Sequence, residues 1–258
     1  MEKFTILGLG WLGYPLSKKL KNQFHIKASV RSQERILDFK DDVNSNYEVF
    51  VLNENNLENL EFLLETDYLF VNYPPSKFDD YLTFLDKIYS HEKIRKIKKI
   101  FFISSTSIYP DLNEEFTEDY EIKEPKTKIV FDAEQTIKDR TDYIFRVSGL
   151  MGYNRIAGKY YSGKEVKDSN AVVNFIHRDD VINAVQFFIK NELVNGIYNL
   201  VAPNYPTKKE IYSLNCEKLN INLPIFKENN NLKTRKIIGK KLLDKGFKYD
   251  YNNPLEFS

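Results

Sequence analysis

The chain has 258 residues, 42% of them apolar, and its 38 Lys and Arg against 37 Asp and Glu leave a net charge of +1. That length buries a substantial core and fits one large α/β domain or a main domain with a smaller lobe, while the balanced charge gives no general attraction to nucleic acid or to an anionic membrane. A lone cysteine, Cys216, excludes an internal disulfide, and His25, His91 and His177 lack metal-ligand spacing, so no metal is expected.

The first residues carry no signal-peptide pattern and no stretch approaches a membrane span, which leads to the expectation of a cytoplasmic protein. Instead the apolar run Phe4 to Leu7 reads as a strand entering GLGWLG, Gly8 to Gly13. Each glycine has its own physical use: Gly8 for the sharp turn off the strand, Gly10 for the approach of a pyrophosphate to the backbone, Gly13 for a helix lying close on the sheet. Trp11 and Leu12 stand within the same cradle. Pro15 falls in the first helical turn, and Leu12, Leu16 and Leu20 repeat at helical spacing, so the motif has the strand-loop-helix context it requires. A purely structural turn is the alternative.

His25 to Val30 gives the second strand, ending in Arg31 and Ser32, with Arg35 one turn further on. Asp or Glu at this place usually accepts from the ribose of NAD, whereas Arg pairs with the 2′-phosphate of NADP, so NADP is favoured over NAD. A solvated basic strand end is the plainer reading. Glu48 to Leu52 is a third strand, followed by Asn53, a candidate beside the adenine or a simple turn residue. Tyr68 to Asn72 is a fourth, stopped by Tyr73, Pro74 and Pro75, a stiff turn that can cover a dinucleotide or merely end the strand. An amphipathic helix is expected from Phe78 to about Glu92, and a fifth strand at Ile100 to Ile103 runs into Ser104, Ser105, Thr106 and Ser107, hydroxyls that can orient a substrate or cap a turn. Alternating strands and helices behind a glycine loop point to a doubly wound parallel sheet.

The stretch ISSTSIYP after GLGWLG resembles the extended short-chain dehydrogenase/reductases, the NAD-dependent epimerase/dehydratase group acting mainly on sugar nucleotides. YIFRVSGLMGYNR (Tyr143 to Arg155), VNFIHRDDVINAV (Val173 to Val185) and NGIYNLVAPNYPTKKEIY (Asn195 to Tyr212) extend the resemblance over most of the chain. The GxGxxG loop is similar to that of the atypical members. The resemblance implies a Rossmann domain over 1–152 with 171–203 and a small C-terminal substrate lobe over 153–170 with 204–258. A homodimer is implied by analogy only.

The family's catalytic Ser or Thr corresponds to Ser105, four residues before Tyr109. Its Tyr–Lys pair is missing: with Glu134 taken as the acid that follows, Lys126 stands at the Tyr position and Val130 at the Lys position. Tyr109 or Tyr73 could then serve as the acid/base with Ser105, or an ammonium such as Lys126 or Lys128 could supply the proton. A third alternative is a dinucleotide-binding sensor without redox chemistry. Arg155, Lys159, Lys164 and Lys167, set among Gly152, Gly158, Gly163 and Tyr153, Tyr160, Tyr161, suit a sugar nucleotide or form a solvated basic loop. Asp179 or Asp180 is expected to cap a helix starting near Val181, and Arg235 to Lys245 to form a short helix. The tail has little apolar periodicity and contains the run Asn229 to Asn231.

Overall fold

The computed structural model describes residues 1–228 and 234–257; the run Asn229 to Asn231 lies outside them. The apolar runs become strands: β1 (Lys3–Leu7), β2 (His25–Val30), β3 (Tyr47–Val51), β4 (Tyr68–Val71) and β5 (Lys99–Ser105). Between them lie α1 (Gly13–Leu20), α2 (Leu60–Leu63) and α3 (Tyr81–Tyr89). The chain continues through β6 (Glu115–Phe116), α4 (Lys128–Ile137), β7 (Tyr143–Val147), β8 (Gly149–Met151), α5 (Ala157–Tyr161), β9 (Glu165–Val166) and β10 (Phe175–His177). It ends with α6 (Arg178–Lys190), β11 (Gly196–Leu200), α7 (Lys208–Leu219), β12 (Ile225–Phe226), β13 (Lys236–Ile237) and α8 (Lys240–Asp244).

Seven strands form one sheet in the order β11-β7-β5-β4-β1-β2-β3. The chain lays β2 and β3 on one side of β1, then returns to place β4 and β5 on the other. This reversal opens a crevice at the carboxyl ends of β1 and β4, where doubly wound sheets take their ligands. Leu7 is in parallel register with both Ser29 and Val71, so the residues that follow β1 and β4 emerge side by side. Near-continuous burial along these strands is what a sheet covered on both faces requires.

Two compact units divide the chain. One comprises Met1–Ser104, Lys128–Phe145 and Val194–Gly196; the other comprises Ser105–Thr127, Arg146–Leu193 and Ile197–Ser258. In the first, Tyr14 donates to Asp42 at 2.7 Å and Ser17 pairs with Tyr47 at 2.5 Å, which fixes α1. Lys27, buried on β2, donates to the carbonyls of Phe62 and Glu65 at 2.6 and 3.3 Å, adding to the bond that the Phe62 carbonyl accepts from the Glu65 amide at the end of α2. Burial lowers its pKa to about 8.

Helix α3 begins at Tyr81 rather than Phe78 because Asp80 is its cap, accepting from the Thr83 amide at 3.1 Å, while Phe78 is extended. In the second unit, Ala157, Val166, Val173, Ile211 and Tyr212 form a small core. Helix α7 starts with a capping box, Thr207 and Glu210 bonding each other's backbone. The helix expected from Arg235 to Lys245 is instead β13 and α8, parted at Gly239, where a Cβ would lie 2.9 Å from Val201 Cγ1.

Helix α6 also starts earlier than expected, at Arg178, and its cap is the His177 ring, whose Nδ1 accepts from the Asp179 amide at 3.3 Å. Asp180 is fully buried and accepts from the amides of Asp250 and Tyr251 at 2.8 and 3.2 Å, fastening the C-terminal segment. Burial outweighs those bonds and raises its pKa to about 6. A carboxyl whose folded pKa is raised favours the protonated form, so its contribution is complete below its ordinary pKa and is lost as pH rises through about 6. Urea unfolding of the wild type and Asp180→Asn across pH 3.5 to 7 is therefore expected to show the stability difference shifting against the wild type by about 3 kcal/mol; a pH-independent difference would contradict this.

Candidate functional site

The glycine loop is set by two close approaches. Gly8 has φ +100, and a Cβ there would lie 2.6 Å from the Asn72 carbonyl oxygen; a Cβ on Gly13 would lie 2.4 Å from the Gly8 carbonyl oxygen and 3.1 Å from Ile6 Cγ2. Both sites exclude any side chain for internal reasons. Gly10 differs, since a Cβ there would meet nothing within 4 Å. The fold itself does not need a glycine at that position, and the space over it is open.

Strand β2 holds this loop. The Leu9 amide donates to the Ser29 carbonyl at 2.8 Å and the Gly8 amide to Ser29 Oγ at 3.1 Å, while Ser29 Oγ also pairs with the Tyr73 hydroxyl. Tyr73 is held in turn by the Tyr81 hydroxyl, which donates to its carbonyl at 2.9 Å. Burial raises the pKa of Tyr73, so its phenol is a neutral strut between β2 and β4.

Around this frame opens a cavity of about 560 Å³. Gly8, Leu9 and Gly10 line it after β1, Ser29 and Val30 at the end of β2 with Arg31, Ser32 and Arg35 beyond it, and Asn72, Tyr73, Pro74 and Lys77 after β4. It therefore gathers Gly8, Gly10, Arg31, Ser32, Arg35, Tyr73 and Pro74 of the expected cofactor residues, and adds Leu9, Ser29, Val30, Asn72 and Lys77. Ser29 and Asn72 were signalled only by the register, since neither belongs to a motif. Trp11, Leu12, Gly13 and Asn53 do not line it. Leu12 is core, and Asn53 is a turn residue: it donates to the Arg31 carbonyl at 2.7 Å and accepts from the amides of Asn55 and Asn56. Arg31 lies 4.8 Å over the Phe78 ring and 3.9 Å from Glu54, and Arg35 pairs with Asp38 at 3.0 Å.

Of the proposed catalytic residues, Ser105, Tyr109 and Lys126 belong to the other unit. Ser105 Oγ accepts from the Ser107 amide at 3.1 Å. Tyr109 is fully buried, unlike an acid/base that meets substrate: its hydroxyl accepts from Arg146 at 2.9 Å and lies 2.8 Å from Asn199 Oδ1 and 3.0 Å from the Thr117 carbonyl. Burial raises its pKa against the Arg146 charge. Lys126 is half-exposed with Asp111 at 3.4 Å, and its amide donates to the Ile108 carbonyl at 3.2 Å. Val130 and Glu134 are buried on α4, where Ser104 bonds Glu134. In the glycine-rich loop Tyr153 and Tyr160 are exposed, Tyr153 carries the Arg178 guanidinium at 3.9 Å, and Lys164 donates to the Tyr160 carbonyl at 3.0 Å. Among the described residues no three His, Cys, Asp or Glu side chains gather as a metal site, and no helix is long and apolar enough to cross a membrane.

The glycines predict a contrast in stability. Gly13→Ala is expected to lose about 1–3 kcal/mol through its clash with Gly8, whereas Gly10→Ala stays within about 0.5 kcal/mol of the wild type. Chemical denaturation checks both, and equal losses would contradict the assignment of open space over Gly10.

No family model matches the chain. It is 26% identical to Protein YeeZ of Escherichia coli strain K12, over 99% of this chain and 98% of that one. Among solved structures it is similar to a NAD-dependent epimerase/dehydratase structure from Methylobacillus flagellatus, at TM-score 0.81 and 19% identity over 99% of this chain and 96% of that one. It is likewise similar to UDP-glucuronic acid 4-epimerase from Bacillus cereus in complex with NAD, at TM-score 0.78 and 14% identity over 99% and 97%. The strand order, the switch-point crevice and these likenesses agree that the chain has the fold of the NAD-dependent epimerase/dehydratases.

Proposed function

We propose that the switch-point cavity binds a nicotinamide dinucleotide, NADP in preference to NAD, and that the protein is an oxidoreductase or epimerase acting on a sugar nucleotide or similar anionic substrate. The open space over Gly10 carries this reading. Gly8 and Gly13 are explained by contacts inside the protein, but Gly10 is not, and it lies in a cavity that also holds Arg31, Arg35 and Lys77. A pyrophosphate over Gly10 would meet the positive end of the α1 dipole, although the Tyr14 amide there already donates to the Gly10 carbonyl at 2.9 Å and Pro15 has no amide to offer. Arg31 and Arg35, with Ser32, would receive the adenosine 2′-phosphate, and Tyr73 with Pro74 would wall the opposite side. The epimerase from Bacillus cereus was crystallised with NAD; the argument for NADP here is Arg31, standing where an NAD site usually has an acid.

A bound nicotinamide supplies the hydride donor or acceptor. For the chain's own part, Ser105 uses its oxygen to accept from the Ser107 amide and keeps its hydrogen to donate to a substrate oxygen. Tyr109 has no such freedom, so Lys126 is the better source of a proton. The segments 153–170 and 204–258 would form the substrate lobe, with Tyr153, Tyr160 and the neighbouring cations meeting the sugar nucleotide. A second reading, a sensor that binds the dinucleotide without redox chemistry, is favoured by Val130, buried and uncharged where a catalytic Lys stands in the family.

Titration followed by Trp11 fluorescence tests the cofactor claim. Wild type is expected to bind NADPH more tightly than NADH, and Gly10→Ala to bind at least about tenfold more weakly while folding normally; no binding of either cofactor by wild type would overturn the proposal. If the protein is an enzyme, Ser105→Ala lowers turnover of sugar-nucleotide substrates by roughly 10²-fold with NADPH affinity unchanged. The sensor reading expects no turnover and a change in assembly state on NADPH addition, seen by size-exclusion chromatography with light scattering.

A further inference from the structure

Three cations line the cavity, and they differ in how far their charge is already answered. Arg35 is paired with Asp38 at 3.0 Å. Arg31 has only a long approach to Glu54, 3.9 Å from Nη2 to Oε1, and the second oxygen of Glu54 is buried without a hydrogen-bond partner. Lys77 makes no ion pair with any described residue. It comes from the turn after β4, whereas both arginines come from the end of β2 and the turn beyond it.

The same turn also sets where Arg31 can be. Its guanidinium lies over the Phe78 ring, and that ring is fixed by stacking on Phe84 at 4.7 Å and by edge contacts with Tyr73 at 5.3 Å. Tyr73 is the residue whose hydroxyl pairs with Ser29 on β2. The guanidinium carbon is thus seated 4.8 Å from the centre of a ring that its neighbours hold in place, which restricts where Arg31 can be. A residue at the tip of a flexible side chain would otherwise lose rotamer freedom on binding.

We propose that Lys77 and Phe78 determine specificity at this site: Lys77 supplies a second charge to a phosphate monoester bound by Arg31, and Phe78 is the positioning residue that holds Arg31 for it. This rests on the reading of the cavity as a dinucleotide site, and it places half of the phosphate reader on the turn after β4, outside the strand end where the sequence pattern would look for it. The ligand class is a nucleotide carrying a phosphate monoester in addition to its pyrophosphate or 5′-phosphate. Arg35, already neutralised by Asp38, contributes less than Lys77.

The test is calorimetric titration of wild type, Lys77→Ala, Phe78→Leu, Phe78→Tyr and Arg35→Ala with NADPH, NADH and adenosine 2′,5′-bisphosphate. Lys77→Ala is expected to weaken NADPH and the bisphosphate about tenfold and leave NADH unchanged. Phe78→Leu should weaken the same two ligands about threefold, Phe78→Tyr should restore them, and Arg35→Ala should cost less than Lys77→Ala. NADPH binding by wild type with an unaltered NADPH-to-NADH ratio in Lys77→Ala and Phe78→Leu would overturn this inference and leave the cavity a dinucleotide site. Equal weakening of both cofactors would also overturn it, by making the turn a general wall. Failure of wild type to bind any of the three ligands would remove the cavity reading itself.

Discussion

Everything proposed for this protein depends on how closely the glycine loop is drawn against the sheet. The Gly8 carbonyl sits where a Cβ on Gly13 would be, and the Asn72 carbonyl where a Cβ on Gly8 would be. These two contacts lock the start of α1 to the ends of β1 and β4. They also fix the edge of the cavity, because the loop cannot move outward without losing its bonds to Ser29. Gly10 is then left over an open space that the packing of the protein does not account for. The anion-binding role proposed for the loop rests on that asymmetry between the three glycines more than on the motif as a whole.

The second dependence is electrostatic and local. With a net charge near zero, the protein does not attract anions in general, so any anion must be held by charges placed for it. The cavity concentrates Arg31, Arg35 and Lys77, and the aromatic group of Tyr73, Phe78 and Phe84 gives Arg31 a fixed seat. Walls held by hydroxyl and aromatic contacts are what the proposed dinucleotide site would need in order to be organised before its ligand arrives.

Much of the first unit was legible in the sequence because its signals are local. Strand β2 falls at His25–Val30 as expected, and β1, β3 and β4 begin or end within a residue of their apolar runs. The glycine loop announced itself by spacing. What could not be read depends on register and on distant partners. Ser29 joins the site because Leu7 is its neighbour across the sheet, and Lys77 because a turn brings it back over Arg31's cavity. Tyr109 stands four residues after Ser105, as the family pattern requires, yet its hydroxyl is occupied by Asn199, ninety positions away, and by Arg146. Helix α7 was signalled by Thr207 and Glu210, but a tail poor in apolar periodicity concealed it.

The protein thus sets its switch-point cavity on a fold that epimerases and dehydratases share, and the sequence resemblance would put Lys126 and Val130 where those enzymes carry a phenol and an ammonium. The claim at the centre is that the open space over Gly10 belongs to a pyrophosphate. A crystal structure of the protein with NADPH tests it most directly. The account predicts pyrophosphate density over Gly10 at the amino end of α1, with the 2′-phosphate between Arg31 and Lys77. Saturating NADPH that leaves this cavity without density, or that is found bound elsewhere on the protein, would contradict it.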